Sequence, residues 1–152
     1  MRTERRIAPY RLCLLGALLL LPSMHPAAQE APLQTERDIR EFERRFLDFF
    51  QAGKYEEAFK LFRGPASALG PREVDNIQSA TVRQLTAVAE RYGQSVDYSL
   101  VSSTTRASAL RMDRYLLRYR VIPLRAHFLF YHNGSAWHLL SFSWDDSVGE
   151  LF

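Results

Sequence analysis

The 152-residue chain has a single cysteine, Cys13, which stands near its start. The body of the protein therefore has no thiol nucleophile, no disulfide and no thiolate metal ligand. There is no Gly-x-Ser-x-Gly elbow, no phosphate-cradling glycine loop and no His-Glu-x-x-His helix, so the motif-borne hydrolase, nucleotide-binding and zinc-protease chemistries have nothing to rest on. A bilayer-spanning apolar run is missing too. The run from Leu12 to Leu21 is broken by Pro22, and a spanning helix needs ~20 apolar residues. A net basic surface is absent from most of the chain. The formal charge is +3, but residues 1–28 hold four arginines and one glutamate, leaving 16 basic and 16 acidic residues in the remainder. Nucleic-acid binding, which draws on net positive charge, is not expected.

What the N-terminus does have is the order of a secretory signal: Arg2, Arg5, Arg6 and Arg11, then the short apolar run, then small residues ending at Ala28. That order predicts cleavage before Gln29 and a periplasmic or secreted protein. Cys13 heads the apolar run instead of following it, which argues against lipidation. Residues 29–35 read as a short linker, 36–146 as one domain, and 147–152 as a C-terminal tail.

Helical periodicity comes first along the domain. Thr35 and Asp38 have the spacing of a capping box, and Ile39, Phe42, Phe46 and Phe49 recur at steps of three and four, which places them on one helical face. Ala52-Gly53 ends that helix. A short helix from Tyr55 to Phe62 and a longer one from about Arg72 to Tyr92, closed by Gly93, complete the helical half. The period then changes to two. Val96, Tyr98 and Leu100 alternate with polar residues, and Tyr115, Leu117, Tyr119 and Val121 alternate with Arg114, Leu116, Arg118 and Arg120. Asn133-Gly134 between two β-rich runs predicts a two-residue type I′ hairpin, which sets Phe130 opposite Trp137 and Phe128 opposite Leu139. One hairpin face then holds Phe128, Phe130, Trp137 and Leu139; the other holds His127, Leu129, Tyr131, His138, Leu140 and Phe142.

This order of elements resembles the nuclear transport factor 2-like superfamily, and more narrowly its small exported bacterial branch. The residues that carry the likeness are the Phe-rich helix, the segment Ala52-Gly53-Lys54-Tyr55-Glu56-Glu57-Ala58-Phe59, the longer helix, and a meander ending in Gly134-Ser135-Ala136-Trp137-His138-Leu139. The resemblance spans about residues 36–146. It implies an α+β fold in which N-terminal helices pack on a curved antiparallel sheet around a cone-shaped cavity, and homodimers formed through the sheet. The superfamily holds isomerases and dehydratases as well as binding modules, so fold alone does not name an activity.

The expected role is a small ligand-binding or protein-interaction module; the alternative is a cofactor-free isomerase or lyase using the cone. No residue sits in a catalytic motif, so none is assigned a catalytic role, and no cofactor is implied. Binding candidates are the tyrosines of the cavity, Tyr55, Tyr92, Tyr115 and Tyr119, together with Arg118, Arg125 and Trp137. From Arg106 to Arg125 there are six arginines and one aspartate, a pattern that suits recognition of a carboxylate, phosphate or envelope lipid headgroup. The bland reading is a solvated face paired with Asp145, Asp146 and Glu150. His127 and His138 fall diagonally across the expected hairpin, but no carboxylate completes a metal site, so no metal is expected. Partners are a small-molecule or envelope ligand and a second copy, with no membrane span.

Overall fold

The computed structural model describes residues 32–151; the signal-peptide assignment lies outside these residues. Three helices, α1 (Glu36–Gln51), α2 (Tyr55–Arg63) and α3 (Pro71–Tyr92), precede four strands, β1 (Ser95–Arg106), β2 (Leu110–Tyr119), β3 (Pro123–His132) and β4 (Trp137–Asp145). The strands form one open antiparallel sheet in the order β1-β2-β3-β4. Helices packed on such a sheet make an α+β architecture, as the sequence periodicity predicts. Among the described residues no helix is long and apolar enough to cross a membrane.

Thr35 caps α1 as its spacing predicts. Its hydroxyl accepts from the Asp38 amide at 3.2 Å, and the Asp38 carboxylate accepts from the Thr35 amide at 2.8 Å, so two otherwise orphaned helix-end donors are satisfied. The buried stripe of α1 is Ile39, Phe42, Glu43, Phe46, Leu47 and Phe50. Phe49, which the spacing placed on the stripe, is only half-buried, and Phe50 takes the inward position. Gly53 follows the helix at φ +70°, a conformation that costs glycine nothing.

Inward from the sheet come Arg111, Asp113, Tyr115, Leu117 and Tyr119 of β2, Leu124, Ala126, Phe128 and Phe130 of β3, and Trp137, Leu139 and Phe142 of β4. Phe46 lies at the centre of the packed layer, within 6 Å, centroid to centroid, of the rings of Phe42, Phe50, Phe59, Phe62, Phe128 and Phe142.

The last hairpin differs from its sequence reading in two ways. Asn133-Gly134 belongs to a loop of Asn133 to Ala136, closed by the Asn133 amide donating to the Ala136 carbonyl at 3.1 Å. The Asn133 side chain accepts from the amides of Ser135 and Ala136 and from the Ser135 hydroxyl, so it organises a longer turn than a two-residue one. His132 therefore faces Trp137 and Phe130 faces Leu139, a shift of two residues that keeps the predicted faces as far as Leu139. Beyond it, Leu140 is an extra residue: Leu129 pairs with Ser141 and Phe128 with Phe142. The bulge reverses the alternation and turns Phe142 and Trp144 toward the core, where Phe142 is buried and Trp144 packs at the margin.

Trp137 is 8 % exposed at the end of the sheet, its ring 5.0 Å from that of His132 and its amide donating to the Leu33 carbonyl at 2.7 Å. Trp137→Ala is expected to lower unfolding free energy by about 3 kcal/mol, read by chemical denaturation. A loss under about 1 kcal/mol would show that the ring adds no packing.

Candidate functional site

A cluster of buried charge joins α1 to β2. Glu43 enters the apolar stripe of α1 between Phe42 and Phe46, while Arg111, Asp113 and Tyr115 are alternate inward residues of β2. Glu43 and Asp113 are wholly buried, Arg111 is 2 % exposed and Tyr115 5 %. The Tyr115 hydroxyl donates to Glu43 Oε2 at 2.7 Å. Arg111 Nε donates to Asp113 Oδ2 at 2.9 Å, and Arg111 Nη1 reaches Glu36 Oε2 at 2.8 Å. Arg40 Nη1 lies 3.4 Å from both Glu43 Oε2 and Asp113 Oδ2. Glu43 Oε1, Asp113 Oδ1 and Arg111 Nη2 are buried without a hydrogen-bond partner.

Burial is the main force on Glu43. It raises the carboxyl from 4.5 to about 8, helped by the Asp113 carboxylate beside it, with Tyr115 and Arg40 pulling the other way. At neutral pH Glu43 is thus mostly a neutral acid. Two arginines then face two carboxylates, Glu36 and Asp113, and the cluster is balanced. Burial and the neighbouring Glu43 carboxyl hold the Tyr115 phenol protonated, well above its ordinary range.

The candidates read from sequence do not converge. Tyr115 belongs to this cluster. Tyr119 is buried further along the same face, and burial raises its phenol. Tyr55 is half-buried, edge-on to Phe50 at 5.4 Å, and lines a shallow depression of about 200 Å³ with Gly53, Thr86, Ala89, Glu90 and Gln94. Tyr92 closes α3 with the Arg91 guanidinium 5.1 Å above its ring. Trp137 marks the hairpin end. Arg118 and Arg125 lie on the opposite face of the sheet. Arg118 is ion-paired with Asp97. Arg125 is held by Asp145 at 2.8 Å and Glu150 at 2.6 Å, so the tail from Ser147 onward folds against β3, with Leu151 half-buried.

Histidine placement also departs from the sequence reading. With the corrected register His127 faces Ser143 and His138 faces Tyr131, four residues away along β3, so the two are not diagonal neighbours. His138 bonds Ser67 and Asn133. Burial, together with the charge of Arg125, lowers the His127 imidazole. Among the described residues no group of three or more His, Cys, Asp or Glu could hold a metal ion.

On the outward face, β1, β2 and β3 form a groove of about 310 Å³ lined by Thr104, Arg106, Leu110, Met112, Arg114 and Leu129. Unlike Arg118 and Arg125, neither Arg106 nor Arg114 has an acidic partner among the described residues; the Arg114 guanidinium hydrogen-bonds Ser102 Oγ, at 3.5 Å. Exposed Leu110 and Tyr131 sit opposite one another at one end.

Sequence reasoning missed the buried cluster, although a signal was present. Glu43 interrupts an aromatic stripe, and extending the inward alternation of Tyr115 and Leu117 back along β2 lands on Asp113 and Arg111. No family model matches the chain, and no curated protein or solved structure matches it. The fold and both sites define it as a three-helix, four-strand α+β domain with a sealed charged core and an open basic-apolar groove.

Proposed function

We propose that the chain is an exported binding module of the nuclear transport factor 2-like type that works through the outward face of its sheet. The observation that supports this is the contrast between the two faces. The inward face is filled by aromatic rings and sealed charges, while the outward face carries a groove with two uncommitted arginines. A groove of about 310 Å³ is at the lower end of the ~300–1,000 Å³ of small-molecule sites.

The same face supports a second copy as partner, over a narrower apolar patch than the sequence suggested. Tyr131 and Leu140 remain available beside the groove, Phe142 having turned inward.

An acid–base enzyme is favoured by one observation, the Glu43 carboxyl raised to about 8 beside a tyrosine. A general acid must come within ~3 Å of its substrate, and Glu43 is wholly buried, so binding leads.

Native mass spectrometry of protein purified from its host envelope tests all parts together. The expected spectrum shows a chain beginning at or near Gln29 that retains a small molecule, with a dimer peak at micromolar concentration. An intact N-terminus from a cytoplasmic fraction removes export; a bare, strictly monomeric chain removes both the ligand and the second copy.

A further inference from the structure

We propose that the outward groove binds a medium-chain alkyl carboxylate, its chain on the apolar floor and its head held by Arg106 or Arg114. This rests on the outward-face reading above and adds the chemistry of the ligand.

The groove has two chemically distinct parts. Its floor is Leu110 and Met112 of β2 with Leu129 of β3, which directly faces Met112. Its ends are cationic. Arg106 pairs with Leu110 at one end, and Arg114 pairs with Ser102 at the other. Ser102 and Arg106 are four residues apart, about 13 Å at ~3.3 Å per strand residue. An alkyl chain of about ten carbons fits that length, and each methylene laid on the apolar floor leaves water and adds to binding.

Charge sets the sign of the ligand. The neighbouring arginines of this sheet have been neutralised: Arg118 by Asp97, Arg125 by Asp145 and Glu150, Arg111 by Asp113 and Glu36. Arg106 and Arg114 alone among the arginines of β1, β2 and β3 have no acidic partner. A guanidinium beside apolar surface pairs with a carboxylate in bidentate geometry. The chain from Asp145 to Leu151 covers the Arg125 end of this face and leaves the groove end open.

Isothermal titration calorimetry with decanoate, below its micellar concentration, tests the assignment on the purified protein. Saturable one-to-one binding is expected, with 1-decanol and acetate each at least about ten-fold weaker, because one lacks the charge and the other the chain. The double variant R106A/R114A should bind decanoate at least about ten-fold less tightly, the scale of one lost charge-assisted hydrogen bond. Circular dichroism should show it folded, since both side chains leave the outward face. Equal binding of decanol, unchanged binding by the double variant, no decanoate binding, or a second copy that seals the groove would each overturn the assignment. A retained compound of other chemistry in the native spectrum would also overturn it, while leaving outward-face binding intact.

Discussion

Glu43→Gln should flatten the loss of stability that the protein undergoes between about pH 5 and pH 8. The folded state keeps the Glu43 proton up to about 8, whereas an exposed glutamate releases it near 4.5. Between those values the unfolded chain binds fewer protons, so unfolding becomes easier as pH rises. The stabilisation is complete below 4.5 and is gone above 8. At ~1.4 kcal/mol per unit the loss is on the order of 3–5 kcal/mol, a large share of the ~5–15 kcal/mol that holds a domain folded. Glutamine has the same shape, still accepts from the Tyr115 hydroxyl, and does not ionise. The variant should therefore match the parent at pH 5 and exceed it at pH 8. His127 acts in the opposite sense, because burial lowers its imidazole and favours folding as pH rises, but both proteins carry it and it cancels from their difference. Denaturant midpoints across this range provide the measurement. Parallel pH profiles for the two proteins would show that Glu43 ionises in the folded state as freely as in water.

Phe46→Ala should cost about 3–5 kcal/mol. The ring is wholly buried and meets six other aromatic rings from α1, α2, β3 and β4. Several of these contacts are edge-to-face, a geometry worth ~0.5–1.5 kcal/mol beyond burial. The resulting cavity would be bounded on all sides by elements that also pack elsewhere, so collapse into it is restricted. Phe49→Ala, one turn further along α1 and only half-buried, should cost well under half as much. Comparable losses for the two, by urea denaturation, would place the packing centre elsewhere.

The two phenylalanines also illustrate what was readable from sequence. Spacing alone located α1, its cap and half of its buried stripe (Ile39, Phe42 and Phe46), because a helix repeats every 3.6 residues and four apolar residues at steps of three and four suffice to show it. It chose Phe49 over Phe50 because a step of three and a step of four from Phe46 suit a helical face equally well. Strand readings were poorer at the turns. Asn133-Gly134 suggested a tight hairpin, yet its asparagine side chain builds a longer loop. The turn between β1 and β2, by contrast, is made by Ala107 and Ser108 at φ +48° and +54°, residues without the usual positive-φ signature. That turn joins long strands, whereas the alternation visible in sequence stopped at Leu100 and resumed only at Arg114. The buried cluster was hidden because charged residues default to the surface, and only pairing between α1 and β2, which no local pattern encodes, permits Glu43, Arg111 and Asp113 to lie inside. The outward groove was half visible: the density of arginines from Arg106 to Arg125 was plain, but which of them keep a free charge depends on where Asp97, Asp145 and Glu150 end up.

The irregular spacing of β1 against β2 has a consequence for how molecules of this protein meet in a crowded compartment. An open sheet has two unpaired margins, and a long regular margin is a template on which further chains can stack into fibrils. The first part of the β4 margin is occupied by its own chain, since the amides of Trp137 and Leu139 donate to the carbonyls of Leu33 and Pro65. Among the described residues no backbone pairs with the β1 margin in this way, but Val96 and Val101 are each an extra residue against β2. Two dislocations within a 12-residue strand break the hydrogen-bond ladder into pieces too short for an incoming strand to extend in step. Val96 and Val101 thus act as gatekeepers against fibrillar growth, and removing either would leave a straighter, more adhesive rim.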